Sequence, residues 1–167
     1  MNTIKSTIHT EAIFSDDKQH RYLLKKTWDE KKPVCTIITM YPHLDGVLSL
    51  DLTTVLILNQ LANFEQYGAV YLVNLFSNIK THENLKHIKE PFDKHTDIYL
   101  MKAISESETI ILAYGVYAKR PVVGERVEQV MEILKPHKKK VKKLINPATN
   151  EIMHPLNPKA RQKWTLK

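Results

Sequence analysis

VCTIITMYPHLDGVLSLDLTTVLILNQLANFEQYGAVYLVNLF, residues 34–76, is the stretch whose reading decides the fold. Its first seven residues (34–40) are rich in β-branched side chains and carry no charge, the composition of a central strand covered on both faces. Tyr41-Pro42-His43-Leu44-Asp45-Gly46 then reads as a loop, since proline and glycine both favour one. From Asp51, apolar residues at 52, 55, 56, 58, 61, 62 and 64 follow helical spacing, with Asp51 as the N-cap or first-turn acid and an end expected near Gly68. Residues 69–76 (AVYLVNLF) form a second buried strand. Strand, loop, helix and strand make a βαβ unit, which predicts a parallel sheet with a right-handed crossover.

Working outward, 8–14 and 21–28 flank the polar turn Ser15-Asp16-Asp17-Lys18 and predict an N-terminal hairpin (about 8–28), with Tyr22, Leu24 and Trp28 supplying apolar faces. After a polar stretch at 77–91, residues 93–106 predict an amphipathic helix through Ile98, Leu100, Met101 and Ile104. Residues 109–114 (TIILAY) predict a third buried strand, broken by Gly115. Residues 122–135 predict a helix stopped by Pro136, and roughly 140–145 a short last strand before a Pro-rich tail at 146–158. The expected architecture is one α/β domain spanning 1–167, three layers (α/β/α) around an open, mostly parallel sheet. In such sheets ligands bind just beyond the C-terminal ends of the strands.

Composition narrows the function classes. Hydrophobic content of 43% and charged content of 26% are globular values, and exclude a disordered chain. No run of about 18 apolar residues is present, so no membrane span is expected. The N-terminus lacks a signal-peptide pattern, so a cytoplasmic location is expected. Cys35, in an apolar run, is expected to be a buried core thiol. The net charge of +7 is unevenly spread: residues 135–167 hold ten Lys and Arg against one acid (+9), and the remainder holds fifteen against seventeen (−2). A concentrated basic segment attracts phosphate backbones, acidic partners or anionic surfaces. No Gly-rich phosphate loop, Cys-x-x-Cys, His-Glu-x-x-His or Gly-x-Ser-x-Gly occurs, so neither metal nor cofactor is expected. His9, His20, His82, His87, His95 and His137 stand in polar contexts and read as surface residues.

The strand ends supply the candidate site: Tyr41-Pro42-His43 after the first strand, Asn74 ending the second, Tyr114-Gly115 after the third, and His154-Pro155 beyond the fourth. Each is ordinary alone; their convergence on one rim is what suggests chemistry.

With Arg21-Tyr22 before Trp28, Asp51-x-Thr53, Gly68 before Val73-Asn74-Leu75-Phe76, Tyr114-Gly115 and His154-Pro155-Leu156, the chain resembles a bacterial family, domain of unknown function 1643. More distantly, the same order of signals is similar to the uracil-DNA glycosylase superfamily. That resemblance implies a uracil-DNA glycosylase-like fold and an enzyme that flips uracil from DNA and hydrolyses its glycosidic bond. It implies Asn74 as base reader, His154 as the electrophile facing the developing charge on uracil, Leu156 as the wedge in the DNA stack, and Tyr114-Gly115-Val116-Tyr117 as supporting wall. Tyr41 stands where the superfamily has Asp or Asn before the proline, and a phenol with a pKa near 10 is a poor base at neutral pH. Tyr41 would instead orient water or stack on a base, His43 would line the pocket, and Asp45 or Asp51 would replace the lost carboxylate.

DNA backbone contacts are expected from Lys138, Lys139, Lys140, Lys142, Lys143, Lys159, Arg161 and Lys163. The expected partner is DNA, uracil-containing or single-stranded, with a protein inhibitor or a replication or repair protein as a further partner and a monomeric state. Two rival readings share the rim: a non-catalytic nucleic-acid-binding module, and a nucleotide or small-molecule enzyme or protein-interaction factor.

Overall fold

A computed structural model describes residues 1–43, 46–81 and 85–167. A hairpin of β1 (His9–Phe14) and β2 (Arg21–Thr27) leads to β3 (Val34–Thr39), α1 (Leu52–Asn63), β4 (Ala69–Asn74), α2 (Lys94–Glu106), β5 (Thr109–Leu112), α3 (Pro121–Leu134), β6 (Val141–Lys143) and the short α4 (Pro158–Gln162). The sheet is six-stranded in the order β1-β2-β4-β3-β5-β6. β4, β3, β5 and β6 are mutually parallel, and β2 joins β4 antiparallel, so the predicted parallel sheet carries the predicted hairpin on one edge.

The alternation of side chains along each strand divides the core into two layers. Cys35, Ile37, Val70, Leu72 and Ile111 face Ile57 and Leu61 of α1, with Ala160 and Trp164 of the tail. Ile38, Tyr71, Val73, Ile110 and Leu112 face Leu100 and Ile104 of α2 and Val123, Val130 and Leu134 of α3. Cys35 lies in the first layer as expected, and burial pushes its thiol pKa up. No helix among the described residues is long and apolar enough to cross a membrane.

Local chemistry sets the element ends. Asp51 caps α1, its Oδ1 accepting from Thr54 N at 2.7 Å. Asp93 caps α2 in a reciprocal capping box with Thr96. α1 stops at Asn63 rather than near Gly68, because the chain turns through Glu65 at φ 57°. Gly68 belongs instead to the approach of the hairpin's end: its carbonyl accepts from Trp28 N and Asp29 N, and a Cβ there would lie 1.8 Å from Asp29 O.

The polar stretch 77–91 packs into the fold: Ser77, Asn78 and Thr81 are buried, and Pro91 O accepts from both Ser77 N and Asn78 N. One expectation needs correction. His20 is not a surface residue; it is 5% exposed, its Nδ1 lying 2.7 Å from Ser77 Oγ. α3 ends at Leu134, just before Pro136 as expected, and the chain continues as a 3₁₀ turn (Lys135–Lys140).

Candidate active site at the strand ends

β3 connects to β4 on one side and β5 lies on its other side, so the sheet's switch point falls between β3 and β5. A pocket of about 550 Å³ opens there. Thr39, Met40 and Tyr41 enter it from the end of β3, Tyr114 and Gly115 from the end of β5, and Asp51 from the start of α1. Arg21, at the start of β2 and only 4% exposed, puts a cation in the wall. Met153, His154 and Leu156 complete it from the loop before α4.

That loop is fixed to the sheet. Leu144 N donates to Leu112 O at 3.0 Å, Met153 N to Leu144 O at 2.7 Å, and Asn157 N to His154 O at 2.9 Å. Gly115, at φ 81°, accepts the loop from the other side: a Cβ there would stand 3.1 Å from His154 Cβ. The glycine thus serves both its own backbone conformation and the close seating of His154.

His154 Nδ1 accepts from Leu156 N at 3.2 Å. The neutral ring therefore carries its proton on Nε2, which becomes its donor. Burial pushes the pKa down to about 4, with the Asp51 charge opposing in part. A neutral imidazole held as a donor is suited to a developing negative charge. Tyr114 is also buried, which raises its pKa.

The pocket thus gathers Tyr41, His43, Tyr114, His154 and Leu156 of the expected residues, with Asp51 as its carboxylate. Asp45 lies outside the described residues. Asn74 does not line the pocket. It sits one hydrogen bond behind the wall, its Nδ2 donating to Thr39 Oγ1 at 2.7 Å. It is 4% exposed, and its Oδ1 has no partner among the described residues. Leu156, 37% exposed, stands at the mouth.

The basic residues do not form one surface around this pocket. Lys138, Lys139 and Lys140 precede β6 and so lie at the opposite end of the parallel sheet, where Lys140 Nζ donates to Ser107 O at 2.9 Å. Lys142 and Lys143 are exposed along β6. Lys159, Arg161 and Lys163 flank the His154 loop through α4, with Lys159 Nζ 3.3 Å from Asn146 Oδ1. Sequence reading missed cations on the other flank. A second pocket of about 730 Å³ shares Met40, Tyr41 and Tyr117 with the first and adds Lys86 and Arg120. The Arg120 guanidinium lies 4.4 Å from the Tyr117 ring centroid.

A family described as "Protein of unknown function (DUF1643)" matches residues 21–156. The chain belongs to this family. The match begins at Arg21 and ends at Leu156, so both boundary residues of the DUF1643 segment line the pocket. Neither the curated proteins nor the solved structures contain a match to the chain.

Proposed function

We propose that this DUF1643 protein binds a planar nitrogenous base in the strand-end pocket and cleaves its bond to deoxyribose, in the manner of a uracil-DNA glycosylase on a uracil-DNA glycosylase-like fold. The observation that carries this reading is His154, a neutral imidazole whose Nε2–H donor belongs to a pocket walled by Tyr41, Tyr114 and Met153. Uracil departs as an anion, so a donor that needs no proton transfer stabilises the charge as it forms. The Arg21 guanidinium adds a fixed positive charge in the same wall. Asp51 is the carboxylate left to orient water or to face the cationic sugar.

Asn74 assists recognition from behind the wall: its Nδ2 donates to Thr39 Oγ1, which leaves the Thr39 hydroxyl hydrogen to donate to an acceptor on the edge of a base in the pocket. Tyr41 and Tyr117, with Lys86 and Arg120 alongside, offer the stacking faces and cations that a single strand needs. Leu156 at the mouth would hold the gap left by a flipped base.

The test is a glycosylase assay on single- and double-stranded uracil-containing oligonucleotides, scored as alkali-labile sites. Wild type is expected to cleave and His154→Ala to fall about 10²–10³-fold, the usual cost of one donor to a developing oxyanion. Equal cleavage by the variant sinks the assignment. No cleavage by wild type, with DNA retained on a gel, favours the binding module, a reading motivated by Tyr41 in the place of an acid.

A further inference from the structure

A third cavity, of about 670 Å³, opens where the β1–β2 turn meets the segment between β4 and α2. His20 lines it. Hydrogen bonds run inward from that ring: Nδ1 to Ser77 Oγ at 2.7 Å, Ser77 Oγ to Thr96 Oγ1 at 2.6 Å, and Thr96 Oγ1 to Asp93 Oδ1 at 3.1 Å.

Counting protons along this chain fixes every direction. A hydroxyl has one hydrogen. Thr96 gives its hydrogen to the Asp93 carboxylate and accepts from Asp93 N at 3.1 Å. Ser77 must therefore donate to Thr96, and its remaining capacity is to accept from His20 Nδ1–H. Asp93 is fully ionised to drive this: burial acts against its charge, but hydrogen bonds from Tyr22, Thr96 and His95 outweigh that and hold its pKa at about 2. With the proton on Nδ1 the ring's lone pair is on Nε2, for which no hydrogen bond is found among the described residues. His20 is only 5% exposed, and its ring stacks on Tyr22 with centroids 5.9 Å apart.

The mouth of the cavity is acidic on a chain whose net charge is +7: Asp16, Asp17, Glu90 and Asp93 outnumber Lys80 and Lys89. An anionic surround and an acceptor on a buried ring that lines the cavity call for a ligand that is both cationic and a hydrogen-bond donor. We propose that this cavity binds a primary alkylammonium group, its N–H donating to His20 Nε2. The site is separate from the strand-end pocket and does not rest on the glycosylase reading; a free amine and a lysine side chain present the same chemistry.

The experiment is long-range ¹H–¹⁵N NMR of the histidine rings at pH 8, with titration by butylammonium, acetyl-lysine methylamide or tetramethylammonium chloride against a sodium chloride control. His20 is expected as the Nδ1–H tautomer, with Nε2 moving on addition of either primary amine; the tighter of the two identifies the source. Tetramethylammonium, which has no N–H, should bind at least tenfold more weakly. Asp16→Asn combined with Glu90→Gln, both exposed positions, should weaken the primary amines at least threefold while leaving the tautomer unchanged. An Nε2–H tautomer, equal binding of tetramethylammonium, or shifts reproduced by sodium chloride would each overturn the proposal.

Discussion

His154 and His20 show how one residue type is given opposite roles. In His154, Nδ1 accepts a backbone N–H and Nε2 is the donor; in His20, Nδ1 donates to a hydroxyl and Nε2 is the acceptor. For His154 the consequence is measurable. Its folded-state pKa of about 4 lies below the ordinary 6.5, so the unfolded chain takes up a proton that the folded one refuses. Between those values stability rises with pH; on acidification the contribution is lost from about 6.5 down to about 4, by up to about 3 kcal/mol. Chemical denaturation of wild type and His154→Gln across this range should show a slope that flattens in the variant. Asn74 gives a sharper separation of stability from function. Its Oδ1 is buried with no partner among the described residues and its Nδ2 orients Thr39 in the pocket wall, so if the pocket cleaves uracil DNA, Asn74→Ala should lower that activity about tenfold while changing stability by no more than about 1 kcal/mol. A variant that instead unfolds in mild urea would make Asn74 a structural residue. Gly115→Ala combines strain at φ 81° with a 3.1 Å approach to His154 Cβ, and should cost about 1–3 kcal/mol and shift the His154 ring resonances.

At the scale of elements, the helices are held to the sheet by polar groups as well as by apolar faces. Arg126 of α3 is 2% exposed; Nε donates to Leu75 O at 2.7 Å, Nη2 to Asp97 Oδ1 of α2 at 2.5 Å, and the guanidinium lies 4.0 Å from the Phe92 centroid. One side chain thus joins both helices of that layer to the end of β4. Arg126→Ala leaves a half-buried carboxylate and a carbonyl without their partner, and thermal unfolding should report a loss of about 3–5 kcal/mol. The helices themselves were legible in the sequence because Leu100, Ile104, Val123 and Val130 repeat at helical spacing, and the strands because VCTIITM and TIILAY have no polar face. Arg126 was not legible: a basic residue at helical spacing among Glu125 and Glu128 looks like solvated surface. His20 was hidden for a related reason. Its burial is produced by Ser77 and Thr96, which are 57 and 76 residues away in the chain, and no local pattern carries that information.

For the whole molecule, the rim was legible because topology sends every parallel strand's C-terminal end to the same side of the sheet. Tyr41, Tyr114 and His154 could therefore be grouped without knowing a distance. Charge was less legible, because a run such as Lys138-Lys139-Lys140 contributes to a site only through where its turn lies, and this turn precedes β6 rather than following it. If the strand-end pocket takes DNA, charge removal at Lys159 and Arg161 should weaken binding and reduce its salt dependence by about one unit of slope per lost phosphate contact, whereas removal at Lys138 and Lys139 should not. Fluorescence anisotropy at several salt concentrations distinguishes the two.

The final residues of the chain return to β6. Lys143 and Lys167 exchange both backbone hydrogen bonds, at 2.7 and 3.1 Å, Leu144 bridges Leu166, and Ile145 N donates to Thr165 O at 2.9 Å. A strand at the margin of a sheet exposes a row of unmet amides and carbonyls that recruits other chains. Here that row is occupied from within, so self-association by strand addition has β1 as its remaining margin, where His9 and Glu11 point to solvent. Clipping residues 164–167 would unseat Trp164 from Phe64 and bare the β6 margin together. Such a truncation should pass from a clear solution to a light-scattering one, and the loop that carries His154, threaded between β6 and α4, would lose its anchorage in the same event.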